Sequence, residues 1–391
     1  MIIAFLHALL RSWVALRLPF TSWRVLVQEL CGTSRVSGQE VRLLAAGLPR
    51  WAAQVGPYFF AGEPVVEKTT LVPVWSLRRH LSQRQAAADL TLVGIDRISA
   101  RLFLGKDYLA MPPLISTWQS VPENLPACSR QRSSVASDLR RVKKQDYASH
   151  LSRAAGDFDL FYEHYYKPYI LGRHTTNARL TPRWMLRLVY ALGSIQWLTL
   201  SGERVAADLV MQQGTGYNLV VTGVRDGRQD LLRQGALAAL YVHSLDHARQ
   251  LGCTRILLGS SRAFLRDGLT RYKGKWMDGF TQDDGHITAN HVLLLRWNRL
   301  AGPVAEFVSS AGLIHHEQSG YSALWAFPSH LPLNAENLRK QYEALTLRGL
   351  HRFRILLPDK VPPGFLCPPE VRLIELPAAE KAGAGGINRL P

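Results

Sequence analysis

The sequence predicts a mixed α+β (α/β) fold, and three observations predict it. Three strand-like runs, "SIQWLTL", "VAADLVMQQ" and "YNLVVTG", are separated by the turns "SGE" and "GTG", the pattern of an antiparallel meander. A strong helical run, "DLLRQGALAALYVHSLDHARQLG", follows, with Gly252 placed to end it. A buried-type strand, "TRILLG", comes next, and the helical crossover allows it to lie parallel to its predecessor. With 391 residues, 47% of them hydrophobic and 20% charged, the chain is of ordinary globular composition and long enough for two or three domain-sized units.

Taken in order, residues 1–60 read as a helical N-terminal segment. "VRLLAAGLPRWAAQV" has apolar residues at helical spacing. "MIIAFLHALLRSWVALRLPF" is apolar but broken by His7, Arg11 and Arg17, whereas a span needs about twenty apolar residues. It also lacks the basic-first order of a signal peptide. It fits either a helix docked on the fold or an interfacial helix with Trp13, Trp23, Arg11, Arg17 and Arg24 at lipid headgroups, a peripheral membrane contact through residues 1–30.

Residues 61–128 read as a first sheet-bearing half. "TTLVPVWSL" and "ADLTLVGID" are strands, "RRHLSQRQAAA" is helix-like, and "ARLFLGKDYLAMPPLI" adds one or two apolar segments. Residues 129–330 form the second half. "SSVASDLRRVKKQDYASHL" can place Val135, Leu139, Val142 and Leu151 on one helical face. Arg140, Arg141, Lys143 and Lys144 then lie elsewhere, either solvated or facing an anionic partner. Residues 158–192 read as two helices, the second started by Thr181 and Pro182. The meander, helix and strand follow, and 287–297 and 321–327 supply closing strands. Residues 331–391 are an extension with one helix, "NAENLRKQYEAL", and two short apolar runs; its last fourteen residues, "AAEKAGAGGINRLP", have a disordered composition.

The charge balance, 47 Lys+Arg against 30 Asp+Glu, favours acidic partners such as phosphates, nucleotides, nucleic acid or an anionic membrane. Cys31, Cys128, Cys253 and Cys367 are too widely spaced for a zinc site or a disulfide framework, so a cytoplasmic, reducing compartment is the simplest reading and no metal is expected.

Three stretches can carry chemistry. "NLVVTGVRDGRQDLLRQGALAALYVH" runs from strand through a glycine-containing loop into a helix, which suits a phosphate, with Arg228 and Arg233 adding charge and Gly235 allowing close approach. "FYEHYYKPYILGRH" clusters Tyr162, Tyr165, Tyr166 and Tyr169, either as a packing face or as part of a site, and ends on Arg173 and His174; a histidine there can act as acid or base. "FLRDGLTRYKGKW" gathers Asp267, Lys273 and Lys275 after the "RILLG" strand, with Arg262 just before it. If 272–275 is extended, the two lysines point to one side; otherwise it is a charged surface hairpin.

The segments "GERVAADLVMQ", "YNLVVTGV", the long helix ending in "LGC", and "SSRAFLRDGLTRYKGKWM" together resemble the GNAT superfamily of N-acyltransferases, and more narrowly its Fem-like branch, found among polysaccharide and cell-envelope acetyltransferases. The resemblance covers roughly 138–300, and 64–118 looks like the degenerate first half of a Fem-like pair. It implies two GNAT-like halves and direct transfer from acyl-coenzyme A to an amine or hydroxyl of a small-molecule, glycan or peptide acceptor. The absence of a G-x-S-x-G nucleophile elbow agrees with direct transfer. Donor contacts are implied at Thr222, Val224, Arg233, Gln234, Gly235 and Ala236. "LRQGAL" keeps the glycine of the pyrophosphate loop, but its second small residue falls at Ala236 or Ala238. His174 or Asp267 is the implied proton acceptor, with Arg262 and Lys273 orienting or neutralising the acceptor substrate. Tyr165, Tyr169, Arg173, Asp208, Tyr272 and Trp276 are its implied contacts. Two alternatives stand beside this: a Fem-type transferase using aminoacyl-tRNA, and a non-catalytic binding protein on the same fold.

Overall fold

The computed structural model describes residues 23–105, 107–123, 133–174, 180–281, 290–297, 302–317 and 319–375. The chain forms two compact units that interleave along the sequence. The first contains residues 1–115, 261–271 and 282–391; the second contains 116–260 and 272–281.

The first unit begins with β1 (Arg24–Thr33), β2 (Glu40–Gly47), α1 (Pro49–Phe59), β3 (Val65–Pro73), a short turn of helix at Val74–Ser76, α2 (Leu77–Ser82), β4 (Leu90–Asp96), α3 (Arg97–Phe103) and β5 (Leu109–Met111). The chain then enters the second unit with β6 (Leu114–Ser120), α4 (Ser133–Lys143), β7 (Tyr147–Ser152), α5 (Asp157–Phe161), a π-helical turn (Tyr162–Tyr166), α6 (Lys167–His174) and α7 (Arg183–Leu192). The meander β8 (Ser194–Leu200), β9 (Glu203–Gln213) and β10 (Gly216–Val224) leads through α8 (Gln229–Gln234) and α9 (Ala236–Gln250) to β11 (Arg255–Arg262), α10 (Gly268–Gly274) and β12 (Gly279–Phe280). The remaining elements return to the first unit: β13 (His291–Trp297), α11 (Pro303–Ala311), β14 (Leu313–Glu317), β15 (Gly320–Ala326), α12 (Ala335–Leu345), β16 (Arg352–Leu357) and β17 (Val371–Glu375).

The first unit holds a six-stranded sheet, β3-β1-β2-β4-β13-β5, and a four-stranded sheet, β14-β15-β16-β17. Every residue of β4 is buried, as its apolar sequence requires of a strand paired on both edges. Two expectations change here. Residues 24–47 are not helical: β1 and β2 pair antiparallel from Val27↔Ala46 to Thr33↔Glu40. Val41, Leu43, Leu44, Ala45 and Ala46 are all buried, and a short continuous apolar run cannot be told from a helix by spacing alone. Residues 1–22, including Trp13 and Arg17, lie outside the described residues. The closing strands expected at 287–297 and 321–327, observed as β13 and β15, also belong to this unit, as do β16 and β17, so 331–375 completes a sheet rather than hanging beyond the domain. The tail from 376 lies outside the described residues.

The second unit has one seven-stranded sheet, β12-β6-β11-β10-β9-β8-β7. Its meander is antiparallel and β11 runs parallel to β10, the order of strands expected from the sequence. One face packs on α5, the π turn and α7 through Phe158, Phe161, Tyr165, Leu186, Trp197 and Leu209. The other receives Ser244 and Leu240 of α9 on Gln196. Leu151 lies on β7, not on the helical face with Val135 and Val142, because α4 ends at Lys143. Among the described residues no helix is long and apolar enough to cross a membrane.

Candidate functional site

In the second unit the parallel ladder between β10 and β11 is short. β10 and β11 pair in parallel only at Gly216↔Arg255, Tyr217↔Ile256 and Asn218↔Leu257. Just beyond, β10 carries a bulge: Leu219 faces Val210 of β9 and Val221 faces Leu209, with Val220 extra. β11 carries its own irregularity at Gly259, whose φ of +71° is a conformation that glycine adopts without strain. A Cβ on Gly259 would lie 2.9 Å from the Leu219 carbonyl oxygen and 3.6 Å from Lys273 Nζ. The backbones of the two strands therefore approach too closely at Gly259 for a side chain.

The Lys273 ammonium stands at this point. Its side chain is buried, only 4% of the residue being exposed, and Nζ donates to the Ser260 carbonyl at 2.8 Å. Burying an ammonium is costly unless polar groups surround it, so a lysine held here is held for its charge.

The floor of the site is a polar row on the α9 face of the sheet. Asp208 of β9 lies opposite Thr222 of β10 and Gln196 of β8. Thr222 Oγ1 donates to Asp208 Oδ1, while Oδ2 has no partner among the described residues. Asp208 is fully buried, and burial pushes its carboxyl up to about 7, the Thr222 hydrogen bond pulling the other way. Gln196 accepts from Tyr217 at 3.2 Å and from Ser244 at 2.9 Å. Above this row, Tyr272 packs edge-on against Tyr241, and Trp276 stacks on Tyr241 at 5.4 Å between ring centroids. Burial raises the Tyr272 phenol well above its ordinary value, and the nearby Asp138 and Asp208 carboxylates add to the shift.

A basic rim lies at the start of α9. Gly235, with φ of +99°, joins α8 to α9, and the Arg141 side chain of α4 covers the place a Cβ would take, its Cδ 3.2 Å away. Arg141 is oriented by the buried Asp138 at 3.6 Å, and Asp138 also meets Lys275 Nζ at 3.4 Å. Arg140 and Lys143 are exposed on the same helix, Lys144 just after its end, and Arg233 on α8.

No family model and no curated protein matches the sequence. Among solved structures, the chain is similar to L-PGS from Bacillus licheniformis, at 13% identity over 72% of this chain and 88% of that one, with a TM-score of 0.32. It is also similar to a GCN5-related N-acetyltransferase from Sphaerobacter thermophilus, at 14% identity over 69% and 75% of the two chains and a TM-score of 0.31. FemX is similar at 9% identity over 68% and 82%, with a TM-score of 0.32. The likeness is distant in both sequence and superposition.

The structure pairs Asp208 with Thr222, puts Tyr272 within electrostatic reach of Asp208, sets Lys273 at Ser260 and Gly259, and assigns other surroundings to several expected residues. Asp267 caps a helix: its Oδ1 accepts from Leu269 N at 3.1 Å, Thr270 N at 3.0 Å and Thr270 Oγ1 at 3.3 Å, starting α10. The stretch 268–274 is therefore helical, not an extended hairpin, because Asp267 supplies the cap. Arg262 and Asp267 belong to the first unit and both bond the Tyr58 phenol there; burial first, then Asp267, pushes that phenol up to about 12. Tyr165 is core: its hydroxyl donates to the Arg204 carbonyl and its ring meets Trp197 at 5.0 Å. Trp276 is fully buried among rings and has no face left for a substrate. Tyr169 is buried on α6. Val224 is buried at the end of β10, and Ala236 is buried at the start of α9. Gln234 keeps Oε1 buried and without a partner among the described residues. Arg173 and His174 end α6, and their side chains lie outside the described residues. Sequence reasoning missed Gln196, Tyr217, Ser244 and Asp138. The signal for Gln196 was available, as a polar residue inside the apolar run "SIQWLTL" has to find partners.

Proposed function

We propose that this protein is an acyltransferase that moves an acyl group from a thioester donor to an amine or hydroxyl by direct attack. The observation that carries this reading is the buried Lys273 ammonium beside Gly259, just past the end of the parallel β10–β11 ladder. Past Asn218, where β10 no longer pairs with β11, its backbone groups can bond the amides of an extended donor arm. Lys273 then stands beside the donor carbonyl and stabilises the negative charge that develops on its oxygen. The acceptor's lone pair attacks the carbonyl carbon, the carbon–sulfur bond breaks, and the thiolate leaves. The acceptor's proton passes through the Thr222 hydroxyl to Asp208, whose carboxyl near 7 is matched to neutral conditions.

The donor's phosphates fit the basic rim formed by the exposed Arg141 and Arg233 at the α8–α9 junction. This favours acyl-coenzyme A. Thiol release from acetyl-coenzyme A, followed with a panel of amine and sugar acceptors, tests it, with donor binding measured by calorimetry. Lys273→Met should lower turnover by about 100-fold or more while donor affinity changes only a few-fold. If the protein neither binds the thioester nor releases thiol with any acceptor, acyl-coenzyme A transfer is wrong.

The exposed basic face of α4 favours a second reading, an aminoacyl-tRNA donor. Binding of charged tRNA that weakens steeply with salt would support it; indifference to tRNA at low salt would remove it. The acceptor class follows the Fem-like resemblance, a cell-envelope or polysaccharide precursor.

A further inference from the structure

The first unit carries an exposed apolar patch with two indoles. Trp23 is 53% exposed, Trp75 59%, Ile98 57% and Leu102 68%. Trp23 and Trp75 meet edge to face at 6.0 Å between ring centroids. Trp75 stands on the short helical turn Val74–Ser76, which lies against α3. On α3, Ala100 and Phe103 pack inward on the core of the sheet, leaving Ile98 and Leu102, four residues apart, on the outer face.

Exposed arginines stand beside the patch. Arg24, Arg79, Arg97 and Arg101 are exposed at its edge. Arg97 and Arg101 share the outer face of α3 with Ile98 and Leu102. The adjoining carboxylate, Asp96, is buried and caps α3 by accepting from Ser99 N at 2.8 Å.

We infer that this face docks on an anionic lipid bilayer. Indole rings favour the membrane–water interface, where the ring is apolar and the N–H is wet. Arginines around them attract acidic headgroups, each cation near the surface contributing about 1 kcal/mol to binding. A second copy of this chain is a poorer occupant, because a two-fold interface would set these arginines against their own copies. The contact does not depend on whether the chain transfers acyl groups, and it uses residues of β1, the 74–76 turn, α2 and α3, beyond residues 1–22.

The test is co-sedimentation of the full chain with vesicles of phosphatidylcholine alone and of phosphatidylcholine mixed with phosphatidylglycerol, with tryptophan emission recorded. Binding to the mixed vesicles, a blue shift and little binding to the neutral ones are expected. The double variant Arg97→Glu/Arg101→Glu should lose at least about tenfold in partitioning, since two attractive charges become repulsive. Trp75→Ala/Leu102→Ser should bind more weakly at high salt, where the apolar contact carries more of the affinity. Thermal melts confirm that both variants stay folded. Failure of the wild type to bind anionic vesicles overturns the inference. So does wild-type binding by both variants, which would assign adhesion to residues 1–22. A dimer by light scattering that Trp75→Ala/Leu102→Ser dissolves would make the face an interface between copies, and would overturn it too.

Discussion

Asp208, fully buried in the second unit, bears on both stability and chemistry. Burial raises its carboxyl from 3.8 to about 7, the Thr222 hydrogen bond pulling the other way. Between those values the native state keeps a proton that the unfolded chain has released, so stability falls as pH rises through that window. The full effect is about 4 kcal/mol at the upper end. Asp208→Asn should flatten this dependence in denaturant titrations run from pH 4 to 7 and should also remove the acidic limb of the rate profile. A variant with unchanged pH dependence of stability would show that the carboxylate is solvated. Asp267 sets the contrast. Asp267→Ala should cost about 1 kcal/mol through loss of the α10 cap, and Asp267→Asn should restore most of it, in melts and in turnover alike. Asp267 stood out in the sequence because it was charged and close to a strand end; a capping role has the same appearance, and only hydrogen bonds distinguish the two.

At the level of elements, the strand order β8, β9, β10, α9, β11 was legible because turns, a helix of helical period and a terminal glycine agreed with one another. The bulge at Val220 was not, since nothing in "YNLVVTGV" interrupts the pattern of a plain strand. Yet it decides the site. Tyr217 and Thr222 are an odd number of residues apart, so a regular strand would put them on opposite faces. The extra residue brings both to the face that carries Gln196 and Asp208. Deleting Val220 should therefore leave a foldable meander but turn Thr222 away from Asp208, abolishing turnover while circular dichroism stays close to wild type. Gly223 marks the other face, where a Cβ would fall 2.6 Å from the Tyr165 and Tyr166 backbone in the π-helical turn. Gly223→Ala should destabilise by about 2 kcal/mol or more in chemical denaturation, because backbone rather than a movable side chain stands in the way.

Over the whole molecule, the sequence reads as successive segments, whereas the chain passes between its two units four times, at 115–116, 260–261, 271–272 and 281–282. That interleaving was illegible because strand order in space leaves no mark on local composition: β13 reads like any apolar strand, yet it sits between β4 and β5. A chain begun at residue 129, the boundary suggested by the polar loop, would lack β6, leaving β12 without a partner strand and one edge of β11 open. It should be recovered as aggregate in gel filtration, while a full-length chain stays in solution.

The same interleaving sets an order of completion during synthesis. All strands of the second unit's sheet have been made once residue 280 has emerged, but β4 still lacks its β13 partner. From the end of β4 to the end of β13 about 200 residues must be added, roughly 10 to 40 seconds at ribosomal rates. For that time one edge of a largely apolar strand waits open, so a nascent-chain chaperone would find its target in the first unit, not in the unit that carries the candidate site.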